Sequence, residues 1–575
     1  MQDKQAVNYS RLLFAYCLQA LFIILKRKET GEMGRILLHN AKVYVEKGVY
    51  AQAVLTDGGR IVKVGTNEEV LALKKDGDDI RDCGGKTLIP GLNDTHMHLF
   101  MFAETLNQAQ IEGTTSIDDM IKRCRDFALS HPQAAEHGIH AMGWNQDLFT
   151  EGEKRIPNRY DLDKISTEYP IVLERICGHI YSCNTKAIEM MGVTAETPQP
   201  AGGEFEIGPD GYPNGVFKES ATALANNVVP GFTKEDYRRI LQDAQKYAFE
   251  HGLTSVQSND IGTSSFRNQQ EGFDLIKDMI AKGELKLRYG SQTCFENAEQ
   301  LKEFLSEGEF AKGNYGEDPL FTIGAVKMFR DGSLGGRTAL LREGYVPDRD
   351  NHGIEWNSLE EIRSFTKLAA DYGIPVVTHV IGDGAVESVI QAYEEAFVDG
   401  KNKNRNALIH CQITDAPLVD RIVKDDILVY AQPIFIDYDM TIVEPLCGAA
   451  LAETSYAFGT LLKRGAHLSY GTDCPVESCN PFRNLYTAIT RKGVNGEPEG
   501  GWYPQECVDR ETAIDAYTYE SAYAQFLEDR KGRIKEGYYA DMVLMSNDIF
   551  TCPEKEILDI TSELTIVRGE VVYEK

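Results

Sequence analysis

LIPGLNDTHMHLF, residues 88–100, runs from an apolar stretch through a Pro-Gly step to two histidines one residue apart, His96 and His98. Alternation along a strand puts side chains i and i+2 on one face, so both imidazoles point the same way. Two neutral imidazoles converging from one strand end suit a divalent metal. In a chain with 12 histidines the H-x-H pattern is weak by itself. Its weight depends on whether other strand ends supply further ligands.

Outward from this stretch, strand-like apolar runs recur, each followed by a polar turn and a helical pattern. They are LTSVQS (253–258), LKLRYGS (285–291), FTIGAVKMF (321–329), IPVVTH (374–379), ALIHC (407–411), ILVYAQP (427–433) and AHLSYGTD (466–473). With residues 88–98 the count is eight. Eight β/α units with parallel strands predict an α/β fold, a closed (β/α)8 TIM barrel over 88–530. Two further runs, IHAMGW (139–144) and PIVLERI (170–176), exceed that count. Residues about 100–235 are therefore expected to be an insertion after strand 1. The ends differ: 34–87 and 531–575 show short β runs and turns, and are expected to form one small β-sandwich domain together.

The chemistry-bearing residues fall where these strands end. His96 and His98 close strand 1, Lys327 lies in strand 4, His379 ends strand 5, His410 ends strand 6 and Asp473 ends strand 8. His379 and His410 are one β/α unit apart, and His410 and Asp473 two. Barrel enzymes draw their reacting groups from the C-terminal ends of different strands. A carboxylate after the apolar strand of YGTD could also be a helix N-cap.

Bulk properties narrow the function classes. The chain has 575 residues, 42% hydrophobic and 26% charged, the composition of a large globular protein. Its net charge of -28 lacks the basic face a nucleic-acid partner requires. Twelve scattered cysteines form no C-x-x-C pair, which suits a reduced, cytoplasmic setting; the pair of interest is Cys474 and Cys479. Residues 1–33 look foreign to the remainder of the chain. LLFAYCLQALFIIL (12–25) is short for a membrane span and has no small-residue cleavage site after it. The expected native start is near Met33, with 1–33 an extension outside the fold; the other reading is a membrane anchor.

Several longer stretches carry a family resemblance: PGLNDTHMH, KMFRDGSLGGRTALL (327–341), THVIGDGAVESVI, ALIHCQ, YGTDCPVESCNPF and GRIKEGYYADMVLMSND. From about residue 35 to 575 the chain resembles the amidohydrolase superfamily, within it the YtcJ-like amidohydrolase family 3 group, which includes N-substituted formamide deformylase. The resemblance implies a metal-dependent hydrolase acting on a non-peptide C–N bond through a metal-activated hydroxide. Deamination or cyclic-amide hydrolysis would use the same site. It implies that His96, His98 and Asp473 hold one divalent metal, with zinc expected, and that His379 and His410 hold a second. Lys327 would bridge the two as a carboxylated lysine; an uncarboxylated Lys327 with one metal is the alternative. Asp473 would move the proton from water to the leaving amine.

The substrate side is less determined. Arg337, in the Gly-rich turn DGSLGGR, either binds a substrate carbonyl or carboxylate or pairs with a structural acid. His179, in ERICGHIYSCN, resembles a substrate-facing family position, although Cys177 stands where an Asp is common; otherwise it is a core histidine. Trp144, with Asp147 in GWNQDLF, is a pocket wall or plain core, and Glu219 a helix-face acid. The expected partner is a small amide-type substrate, with no nucleic acid and no membrane, in a chain free to form a homodimer. A scaffold protein on the same fold would have lost its ligands, and here all six are retained.

Overall fold

Eight parallel strands form one sheet in sequential order. They are β1 (Leu92–Met97), β2 (Leu253–Ser258), β3 (Arg288–Thr293), β4 (Phe321–Phe329), β5 (Val376–Val380), β6 (Ala407–His410), β7 (Leu428–Ala431) and β8 (Leu468–Tyr470). Helices such as Leu359–Asp371, Asp383–Glu395 and Pro481–Thr490 alternate with them. Helix starts are written locally: Ser358 and Glu361 form a reciprocal capping box, and Asp415 caps Ala416–Lys424. The expected (β/α)8 barrel is the fold of this computed structural model. It describes residues 34–575 except 133, 177–178, 227, 264 and 309–317. The extension 1–33 with its apolar stretch, and Cys177, lie outside the described residues. No helix among the described residues is long and apolar enough to cross a membrane.

The opening stretch is two strands rather than one. Thr87–Pro90 joins a six-stranded terminal sheet, and the barrel strand begins only at Leu92. The break is at Gly91, whose N–H donates to the Asp541 carbonyl at 2.9 Å and where a Cβ would collide with the Thr254 side chain. Strand 8 is likewise shorter than its apolar run: it stops at Tyr470, so Asp473 sits on the loop beyond it.

The six-stranded sheet takes Lys42–Glu46, Val49–Ala51 and Thr87–Pro90 from one end of the chain. From the other it takes Met542–Met545, Ser562–Val567 and Glu570–Glu574. A four-stranded sheet built on Ile36–His39 faces it, and one core joins them: Ile36, Leu38, Val54 and Ile61 with Val43, Leu88, Met542 and Ile566.

Residues Phe100–Asp243 form a second compact unit. Its five-stranded sheet pairs Ile139–Trp144 in parallel with Ile171–Arg175, and continues antiparallel through Ile180–Cys183, Pro213–Glu219 and Gly203–Ile207.

Closure of the barrel is made by the loop after β8. Asp473 N–H donates to the His96 carbonyl and His98 N–H to the Cys474 carbonyl, both at 2.7 Å. Asp94, fully buried, accepts from Thr472 Oγ1 at 2.6 Å, from Thr472 N and from His96 N. This close approach requires Gly471, where a Cβ would lie 2.6 Å from His96 N and 2.9 Å from Asp94 Oδ1. Gly471→Ala is expected to cost about 1–3 kcal/mol by overpacking the seam. Gly231→Ala, with nothing within 4 Å of its Cβ, should be neutral. Thermal unfolding of both variants decides it; equal midpoints would contradict the seam.

Candidate metal centre

The seam delivers Asp473 to the histidines of β1. Its Oδ1 lies 3.3 Å from His96 Nε2 and 3.3 Å from His98 Nε2. His410, at the end of β6, stands edge-on to His96 with ring centroids 5.5 Å apart, and His379 edge-on to His410 at 4.6 Å. The ligand atoms of His96, His410 and Asp473 all lie within 4.8 Å of one another. Lys327 is buried on β4. Both His410 and Asp473 adopt positive φ, 72° and 57°, an uncommon state for non-glycine residues and one that gathers at functional sites.

Each imidazole is turned by a fixed acceptor. His98 Nδ1 lies 2.6 Å from the Asn259 carbonyl, which only accepts, so Nδ1 carries the proton. His96 Nδ1 lies 2.6 Å from Gln292 Oε1 and His410 Nδ1 2.8 Å from Gln432 Oε1. The two amides are themselves oriented, since their N–H2 groups donate to the carbonyls of Thr95 and Tyr430. Three Nε2 atoms therefore face inward. His379 is reversed: its Nε2 donates to the Gly332 carbonyl at 3.1 Å, which leaves Nδ1 as the lone-pair nitrogen. An acceptor behind each ligating imidazole is the arrangement that fixes tautomer and ring direction at metal sites.

Electrostatics agree with this picture. Burial, then the charge of Lys327, pushes His96 down to about 4 and His379 to about 3. Burial and His379 hold His410 well below the usual value. Burial opposes charge on Asp473, but the neighbouring His96 and His98 outweigh it and hold the carboxyl well below its ordinary range. His98 is raised: burial works against its proton, and the contact with Asp473 prevails. Burial pushes Lys327 down to about 8.

Three buried atoms here lack a hydrogen-bond partner among the described residues: Asp473 Oδ1, Lys327 Nζ and Asn259 Oδ1. The 3.3 Å contacts of Asp473 Oδ1 are close without hydrogen-bond alignment. A buried carboxylate oxygen facing the lone pairs of His96 and His410, which burial keeps neutral, is unfavourable unless a cation lies between them. The donor set, imidazole nitrogen and carboxylate oxygen, fits a divalent ion.

The substrate-side expectations fare differently. Trp144 is not a pocket wall: it is fully buried in the core of the insertion with Ile139, Leu162 and Leu173, and its indole N–H donates to the Leu173 carbonyl at 3.0 Å. Packing explains it completely. His179 is no core histidine; it is exposed, with Nδ1 3.1 Å from Glu219 Oε2. Glu219 ends a strand rather than lying on a helix face. Asp147 pairs with Arg175 at 2.8 Å. Arg337 is exposed and pairs with no acid among the described residues, while the N–H groups of Gly332, Ser333 and residues 336–339 are used inside the turn. The Gly-rich turn thus satisfies itself instead of presenting a row of free donors.

Other residues enter the site unannounced. Phe329 and Phe435, both half-buried, lie against His379 and His410 with centroids 5.7 Å apart in each case. Lys327 Nζ sits 4.2 Å from the Phe329 ring centre. The signal for Gln292, Gln432 and Asn259 was their place at strand ends in GSQT, YAQP and QSND.

Comparison with known proteins adds the family. Residues 79–573 match the model of the amidohydrolase family. The YtcJ protein of Bacillus subtilis (strain 168) is 28% identical over 545 residues, covering 94% of this chain and 100% of that protein. The N-substituted formamide deformylase of Arthrobacter pascens is 24% identical over 554 residues, covering 95% and 99%. An uncharacterized metal-dependent hydrolase from Pyrococcus furiosus superposes with a TM-score of 0.72 at 25% identity, covering 90% of this chain and 100% of its own. With a barrel whose strand ends converge in this way and a family match across most of its length, the chain belongs to the amidohydrolase family.

Proposed function

We propose that this protein hydrolyses a non-peptide C–N bond, in an N-substituted formamide or a related small amide, at a divalent-metal centre. The observation that carries the reading is the convergence of three inward Nε2 atoms on the unpartnered Oδ1 of Asp473. The deformylase of Arthrobacter pascens, similar along nearly its whole length, supplies the substrate class.

His96, His98 and Asp473 would hold one ion, zinc in this nitrogen and oxygen set, and His379 and His410 a second. A bound ion supplies Lewis acidity, lowering the pKa of water toward roughly 7 and polarising the amide carbonyl. Lys327 is suited to bridging. Its unpartnered amine, pushed down to about 8, is partly neutral near pH 7. A neutral amine can add CO2 and release a proton, and the resulting carbamate would offer anionic oxygen ligands to a divalent ion.

Asp473 is the proton carrier. It is held ionised, so it accepts a proton at Oδ1 from the attacking water and delivers it to the departing amine nitrogen. Phe435 stacks on His410, and Phe329 packs at a tilt against His379. Asn259, Gln292 and Gln432 keep the imidazoles aimed.

The test is turnover of a panel of N-substituted formamides by the full chain, reading formate and amine. Amine release is expected, with kcat lowered at least about 10³-fold by Asp473→Asn. Ammonia release from a ring substrate would assign the deaminase reaction instead. Full activity in the Asp473→Asn variant would contradict the role given to that residue.

The depressed histidines also predict an acid-sensitive contribution to the stability of the metal-stripped protein. Below about pH 6.5 the unfolded chain binds protons that folded His96 and His379 refuse until about 4 and 3. Their contribution therefore falls as pH drops through that window, by up to about 1.4 kcal/mol per pH unit for each histidine. His98, raised, and the buried carboxyls of Asp94, Asp331 and Glu477, each pushed up to about 7, work in the opposite sense. The histidine contribution is read as a difference: in chelator-treated protein, His379→Asn should gain thermal stability relative to the wild type as pH falls from 7 to 4. A difference between the two that is independent of pH across that range would contradict a buried neutral His379.

A further inference from the structure

Behind β8, on the side away from the barrel interior, a second polar group is gathered. Ser469 points inward and bonds Thr95, so alternation turns Tyr470 outward, toward the helix Pro481–Thr490. Asn484 on that helix donates to the Gly471 carbonyl at 2.8 Å and to the Tyr517 hydroxyl at 2.6 Å, which fixes the face that looks at the strand. Thr487 follows at three residues on the same face, and Arg491 closes the helix as its left-handed cap, φ 58°. The Tyr470 ring packs edge-on against Tyr517, 5.8 Å between centroids.

Three atoms of this group have no hydrogen-bond partner among the described residues: Tyr470 Oη, Thr487 Oγ1 and Arg491 Nη2. Tyr470 and Thr487 are fully buried and Arg491 is 1% exposed. Arg491 is otherwise well fixed. Its Nε donates to the Trp502 carbonyl and its Nη1 to the Tyr456 carbonyl, each at 3.0 Å, and its guanidinium lies 4.9 Å from the Trp502 ring centre. It has no carboxylate at ion-pair distance among the described residues. Glu506, the acid that influences it most, accepts from Thr460 N and Thr460 Oγ1. Tyr470 and Arg491 are near enough that each perturbs the other's ionisation.

A buried cation with no counter-charge is strongly disfavoured, and buried donors rarely go unused. We propose that Arg491 Nη2, Tyr470 Oη and Thr487 Oγ1 bind a small monovalent anion of halide size between β8 and the helix that follows it. All three groups can donate, and the guanidinium cannot accept. Water would meet the donors but leave the cation uncompensated; a divalent oxyanion would overcompensate it. The anion would brace the strand whose continuation carries Asp473, three residues on.

The test uses the full chain in sodium bromide against sodium gluconate at equal ionic strength, which removes general screening. A bromide-specific rise in the unfolding midpoint of about 1–2 °C is expected at ten times the Kd. Tyr470→Phe keeps the ring and removes one donor, and should weaken bromide about three- to ten-fold; Arg491→Met should abolish the response. If Arg491→Met does not fold, Tyr470→Phe carries the comparison. Crystals grown in bromide should show an anomalous peak within hydrogen-bond reach of Arg491 Nη2. Ordered water alone at that position, equal midpoints in the two salts, or an unchanged bromide response in Tyr470→Phe would each overturn the proposal.

Discussion

The contact between Asp94 and Thr472 holds the first and last barrel strands in register, and the rest of the site depends on it. Asp94 is buried, and burial pushes its carboxyl up to about 7 even with three donors pointed at it. Thr472 is bonded through both its N–H and its hydroxyl, so the residue after it has little freedom. That residue is Asp473, whose N–H returns to the His96 carbonyl. One interaction thereby sets the distance from a carboxylate on one strand's loop to two imidazoles on another strand. Gly471 makes the approach possible, and the positive φ of Asp473 turns its side chain into the mouth.

The consequence of that geometry is electrostatic. Burying an anion is costly, and the protein does so at Asp473 without a fixed cationic partner that hydrogen-bonds it. It surrounds the carboxylate with His96 and His410, which burial keeps neutral, and with His98, whose proton the carboxylate favours; the outer nitrogen of each is already engaged. Such a site stores affinity for a dication: each acceptor behind a histidine has fixed which nitrogen is free before any ion arrives. Lys327 belongs to the same scheme, with an unpartnered amine depressed by burial in a place where a cation would otherwise be paired.

The fold was legible because parallel barrel strands are buried on both faces and read as apolar runs at regular spacing. The candidate ligand positions stand out for a related reason: His96, His379, His410 and Asp473 are polar groups at the ends of such runs. Strand boundaries were less legible. Residues 88–90 share the apolar character of Leu92–Met97, and only the crowding at Gly91 separates them. Gln292, Gln432 and Asn259 carry no such mark in the sequence, because a polar amide near a strand end has many uses and its role depends on contacts far away in sequence. Trp144 misled in the other direction. A large aromatic beside a polar turn suits a pocket or a core equally, and its partner Leu173 lies 29 positions away.

The central claim is that the converging groups at the barrel mouth hold divalent metal. The most direct measurement is metal content per chain by elemental analysis, on full-length protein purified without chelators, beside its Asp473→Asn variant. The account predicts one to two equivalents in the wild type, two with a carboxylated Lys327 and one without, and a clear loss in the variant. No metal in the wild type, and none taken up from added zinc or manganese, would contradict it.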